Sequence, residues 1–143
     1  MFRNILVALD GSETSQRALA EAVELAESVN ARLTIISIVP PIPGYAYRAG
    51  IDLEALGSEA EAETERLLRD ALEQVPDDLP VTTVLKHGHA GEEIVNQIET
   101  GDHDLIVMGS RGLGRVTSNL FGSVGGHVHF HTHIPMLIVH PKE

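Results

Sequence analysis

The 143-residue sequence has no cysteine and no tryptophan, and only three phenylalanines and two tyrosines. Without thiols, disulfides, cysteine nucleophiles and cysteine-ligated zinc or iron–sulfur centres are excluded. Few aromatics leave the core to aliphatic side chains. That is feasible, because 43% of residues are hydrophobic and a chain of this length encloses one sizeable core. Cationic side chains are also scarce: Lys and Arg total 10 against 21 Asp and Glu, a formal charge of −11. Such a surface repels polyanions, so a basic nucleic-acid-binding face is not expected. No apolar run approaches the roughly 20 residues of a membrane span. The segment MFRNILVALDG lacks the length and flank of a signal peptide. One cytoplasmic domain spanning residues 1–143, with no membrane partner, is the expectation.

What the sequence does contain is a regular alternation of apolar strands and amphipathic helices. Arg3 to Leu9 reads as a buried strand that stops at Asp10-Gly11. Ser12 or Thr14 can cap a helix from Ser15 to Val29, with Ala18, Leu19, Ala22, Val23 and Ala26 on one face. A β-branched strand from Arg32 to Val39 ends at Pro40-Pro41. Pro41 to about Leu56 has no consistent period and reads as an excursion or lid, with a short helical piece near Ile51 to Leu56. Ser58 to Val75 reads as a helix facing inward through Leu67, Leu68, Ala71, Leu72 and Val75, its charged residues forming the solvated face. Val81 to Leu85 is a third strand. A short helix presents Ile94, Val95 and Ile98 and ends at Gly101. Leu105 to Met108 and Met136 to Val139 are the remaining strands. Near-continuous apolar strands separated by helices call for a parallel sheet covered on both faces. Ligands in such sheets bind beyond the strand C-termini, where strand order switches. Asp10, Val39 and Met108-Gly109 all lie at those ends.

The densest candidate site is GSRGLGRVTSNLFGS, Gly109 to Ser123. Glycines after a buried strand permit tight turns and close approach to a ligand, and Gly122-Ser123 can present backbone N–H groups and a hydroxyl to a phosphate. Arg111 and Arg115 can meet phosphate oxygens; equally, they can be surface arginines of a plain connecting loop. No lysine follows these glycines as a P-loop needs, and DGSETS stands where a dinucleotide fingerprint would. Asp10 has two readings as well: a ribose or divalent-cation ligand, or the acceptor of an Asx turn capping the first helix.

ILVALDGS, the apolar end at Val39, HGHAGEEIV, DLIVMGSRGLG, GSV and PMLIVH together resemble the universal stress protein family over essentially the whole chain. Gly109, Gly112, Gly122 and Ser123 match the family's nucleotide motif, G-x2-G-x9-G-[ST]. The resemblance implies the family's ATP-binding branch. It also implies a Rossmann-like, adenine nucleotide alpha hydrolase-like fold: an open twisted five-stranded parallel sheet of order 3-2-1-4-5 with helices on both faces. By the same resemblance Ala8 and Asp10 flank the nucleotide, Val39 contacts the adenine, and Met108 and Gly109 lie near the ribose. Gly112, Gly122, Ser123 and Val124 surround the phosphates, with Arg111 beside them. ATP, with Mg²⁺ held in part by Asp10, is the implied cofactor, and a homodimer through Met136 to Val139 the implied assembly. The implied role is a nucleotide-dependent stress-response or regulatory module. Slow ATP hydrolysis or autophosphorylation, and a structural dimer that makes no use of nucleotide, are the alternatives. No triad or two-metal centre is legible, so an efficient enzyme is not expected.

GSVGGHVHFHTHIPMLIVH places histidines at 127, 129, 131, 133 and 140. In a helix, residues two apart point about 200° from one another, so the alternation does not gather four imidazoles. His127 and His131 share a face, His129 lies opposite, and His133 falls past the helix end. Adventitious capture of Ni²⁺ or Zn²⁺ is expected more readily than a structural metal. His87 and His89 read as loop residues, GDHD around His103 as a turn, and Tyr45 and Tyr47 as candidates to shade a nucleotide from a lid.

Overall fold

A computed structural model describes residues 1–111 and 122–142. Ten elements alternate along the chain: β1 (Asn4–Ala8), α1 (Glu13–Val29), β2 (Arg32–Val39), α2 (Gly44–Arg48), α3 (Leu53–Glu73), β3 (Val81–His87), α4 (Ala90–Thr100), β4 (Leu105–Gly109), α5 (Ser123–His131) and β5 (Met136–Val139). The strands form one sheet in the order β3-β2-β1-β4-β5, and every pairing is parallel. This is the expected open Rossmann-like α/β sheet with its helices on both faces.

The apolar runs are continuous because both faces are covered. Ile5 and Val7 of β1, with Leu9 just past its end, point into a core completed by α1 and α3. Leu6 and Ala8 point the other way, into a core completed by Ile94, Val95 and Ile98 of α4 and Val128 of α5. Single residues set the helix ends. Ser12 caps α1 by accepting from Ser15 N–H at 3.3 Å, and Asn30 closes it in the left-handed conformation at φ 58°.

Three expectations need correction. α3 begins at Leu53, five residues before Ser58, because Asp52 Oδ1 accepts from the Ala55 N–H at 3.1 Å and starts the helix there. The preceding stretch holds the separate helix α2, whose Ala46 is buried while Tyr45 and Tyr47 are exposed. Leu72, read as inward-facing, is 39% exposed. β3 also runs two residues beyond Leu85, to His87. Among the described residues, no helix is long and apolar enough to cross a membrane.

Candidate functional site

The chain visits β1, β2 and β3 in steps to one side, then places β4 on the other side of β1. The crevice beyond the C-terminal ends of β1 and β4 is therefore the switch point at which open α/β sheets bind ligands. Asp10 and Gly109 reach it from either side.

At Asp10 the turn reading is realised. Asp10 Oδ1 accepts from Ser12 N–H at 2.9 Å and from the Ser12 hydroxyl at 2.6 Å, an Asx turn leading into α1. The second carboxylate oxygen makes no hydrogen bond among the described residues. Gly11 completes the bend at φ +86°, which favours glycine.

Gly109 has a reason of its own. A Cβ there would stand 2.4 Å from Thr14 Oγ1, 2.7 Å from the Thr14 carbonyl carbon and 2.8 Å from Ser15 N. The end of β4 thus lies directly against the first turn of α1, so close approach to protein backbone already demands the glycine. Thr14 Oγ1 accepts from Arg111 N–H at 3.2 Å and lies 3.0 Å from the Arg111 carbonyl, to which it donates. Asp10, Gly109 and Arg111 are in this way gathered around the α1 N-terminus.

Ala8 and Met108 are buried in one core cluster, against which Val124 packs. Their side chains fill the core, and their backbones pair in the sheet, Ala8 opposite Ile36 and Met108 opposite Ile138. Val39 is buried at the end of β2, and its carbonyl accepts from Gly88 N–H at 3.0 Å. Gly122 is the N-cap residue of α5 and offers no side-chain acceptor, and its carbonyl receives the first helical bond, from Gly126 N–H at 2.9 Å. Ser123 opens the helix. Gly112 and Arg115 lie outside the described residues.

Two adjoining cavities of about 600 Å³ each open at this end of the sheet. The first runs from Asp10, Gly11 and Ser37 to Ala60, Thr64 and Leu67 of α3. The second runs from Val39, Pro41 and Ile42 to Leu53, Gly57 and His87. α3 as a cavity wall is absent from the sequence reading. Glu63, Arg66 and Asp70 of its charged face stand at the rim of the first cavity while remaining exposed. The available signal was Thr64, a small polar residue on the inward side of the helix. It is buried and donates to the Ala60 carbonyl at 2.9 Å. At the second cavity His87 Nε2 pairs with Glu61 Oε1 at 2.5 Å, which holds α3 to the end of β3.

His103 is the other residue whose position sequence reasoning missed. It is 5% exposed, at the opposite end of the sheet. Burial lowers its pKa from the ordinary 6.5, against smaller opposing effects of the Asn4 backbone and the Asp104 and Asp102 charges. Gln97 Nε2 lies 3.0 Å from its Nε2, as suits an amide N–H donating to a neutral ring. Its buried Nδ1 makes no hydrogen bond of good geometry among the described residues.

The family model described as the universal stress protein family matches residues 1–140. A universal stress protein of Thermus aquaticus is 37% identical over 140 residues, covering 97% of this chain and 99% of the relative. Universal stress protein UspA from Lactobacillus plantarum superposes with a TM-score of 0.82 at 23% identity, covering 96% of this chain and 97% of that one, a likeness of fold. A universal stress protein solved in complex with cAMP superposes with a TM-score of 0.71 at 26% identity, covering 97% of both chains. With the full-length sequence match and the 3-2-1-4-5 sheet in agreement, this chain belongs to the universal stress protein family.

Proposed function

We propose that this chain, acting as one domain, is a nucleotide-dependent stress-response regulator that binds ATP at the β1–β4 switch point. The observation that carries the reading is the spacing of Gly109, Gly112, Gly122 and Ser123. A strand end and a helix start without a side-chain cap lie at the two ends of that motif. Backbone N–H groups at a helix N-terminus and the Arg111 side chain suit a polyphosphate, whose charge they complement. The cavity walled by Val39, Pro41 and Ile42 is apolar enough for a base. The relative that binds cAMP supports an adenine nucleotide as the ligand class.

Mg²⁺ fits as a companion of the phosphates rather than as a resident ion. Among the described residues no three His, Asp or Glu side chains cluster to hold one. Asp10 has one carboxylate oxygen engaged by Ser12, leaving the other for a shared cation. Signalling through the bound state is favoured over turnover on the sequence, where no triad or two-metal pattern is legible. The working assembly is a homodimer joined through β5, whose Leu137 is 39% exposed on an edge strand.

Mass spectrometry of ligand released from the purified protein, followed by calorimetric titration with ATP and cAMP, tests this reading. Hydrogen bonds to a charged phosphate are worth about 1.5–3 kcal/mol each. Gly122→Val, which puts a β-branched residue at the helix cap, should therefore weaken ATP binding about tenfold or more. ATP affinity unchanged by that substitution would sink the assignment of the site. Mg²⁺-dependent hydrolysis that vanished in the variant would favour the enzymatic alternative.

A further inference from the structure

The histidine tract is not absorbed by the nucleotide reading, and the structure separates its members. His127 and His131 are one helical turn apart in α5, with ring centroids 4.2 Å apart and planes 21° from parallel. His129 instead pairs edge-on with Phe130, which is 82% exposed. His133 lies beyond the helix and is exposed.

Two details prepare the first pair for a ligand. The His127 ring rests on Gly91 of α4, where a Cβ would come within 2.9 Å of its Cδ2 and 3.0 Å of its Cγ. The helix crossing therefore requires a glycine and holds that ring in place. His131 Nδ1 lies 2.8 Å from the His127 carbonyl. A carbonyl only accepts, so Nδ1 carries the hydrogen and the neutral ring has its lone pair on Nε2. An imidazole that donates one N–H to a backbone carbonyl and offers its other nitrogen outward is the arrangement of a metal-ligating histidine.

We propose that His127 and His131 form a two-imidazole chelate for a divalent transition-metal cation of the Ni²⁺, Cu²⁺ or Zn²⁺ class. Imidazole nitrogens are suited to these ions, and metal–nitrogen lengths of about 2.0–2.1 Å allow one ion to bridge side chains a single turn apart. Closing the chelate requires the exposed His131 ring to tilt out of the stack toward His127. No third protein ligand joins them among the described residues, so water completes the coordination sphere. The chelate ties together a helix in need of it: α5 carries Gly125 and Gly126 near its start, each costing about 1 kcal/mol against Ala. Nothing in this site depends on nucleotide binding.

The test is a Ni²⁺ titration of the tag-free full-length protein, followed through the histidine ring resonances, whose signals broaden beside the paramagnetic ion. His127 and His131 should broaden together at one equivalent. His131→Gln alters an exposed side chain and should weaken binding about a hundredfold, because the second contact of a chelate acts at high effective concentration. Gly91→Ala should weaken it independently by displacing the His127 ring. The double substitution His129→Gln and His133→Gln should leave it unchanged. Broadening spread evenly over exposed histidines, or an affinity indifferent to His131→Gln, would overturn the proposal in favour of adventitious capture.

Discussion

The two ends of the sheet are built on opposite plans. At the N-terminal end the chain satisfies itself. Asp104 accepts from Arg3 N–H at 2.8 Å and Asn4 N–H at 3.0 Å, while the Asn4 amide donates to the Gly101 and Asp102 carbonyls. His103 closes over this clamp, buried and neutral. At the C-terminal end the strands stop short of two cavities, and the contacts that exist position backbone rather than fill space. A parallel sheet can thus lock one edge of its layer with side chains and leave the other for a ligand.

The sharpest way to break this contrast is to add bulk at the open end. Gly109→Val should destabilise the fold by about 3 kcal/mol, because the new side chain meets the Thr14 and Ser15 backbone, which cannot rotate away. Urea denaturation measures it. A stable Gly109→Val protein that had lost only nucleotide affinity would show that the glycine serves the ligand alone. Removing the clamp at the closed end comes next. Asp104→Ala takes a charged acceptor from two backbone N–H groups and should cost about 2 kcal/mol, with ATP affinity unaltered. A large change in affinity would mean that the two ends are coupled.

The smallest effect is the pH dependence contributed by His103. Its folded pKa lies below 6.5, so between that value and 6.5 the unfolded chain binds a proton that the folded chain refuses. The contribution of the neutral buried ring is complete above pH 6.5 and is lost as pH falls through the window beneath it. The stability gap between the native protein and His103→Gln should therefore narrow from pH 7.5 toward pH 5.5. A gap that stays constant or widens would contradict the buried neutral ring.

The contrast also separates what was legible in the sequence from what was not. β2 and β5 could be read to the residue, because apolar runs bounded by Pro40 and Pro135 carry their own limits. The start of α3 could not, since Gly57 lies inside the helix and Asp52 precedes a stretch without period. At the candidate site the glycine spacing was visible, but the reason for Gly109 was not. Its neighbour Thr14 is 95 positions earlier in the chain, and no local pattern announces that contact. His103 was hidden for the same reason: its turn looks like any Gly-Asp turn until β1 is laid beside it. Local periodicity writes the elements, whereas long-range contacts decide which polar residues become structural.

The strand order has a consequence for how the molecule is made. β1 is the central strand, yet one of its two neighbours is β4, whose Leu105 pairs with Ile5. A hydrogen bond from Asn4 N–H to Asp104 spans 100 positions. As the chain leaves the ribosome, β1, β2 and β3 can assemble early, but one side of β1 stays an open apolar edge until β4 emerges. Parallel sheets with such distant partners fold slowly and expose unpaired edges on the way. Until β4 is in place, one side of β1 offers its unpaired backbone groups to any other strand.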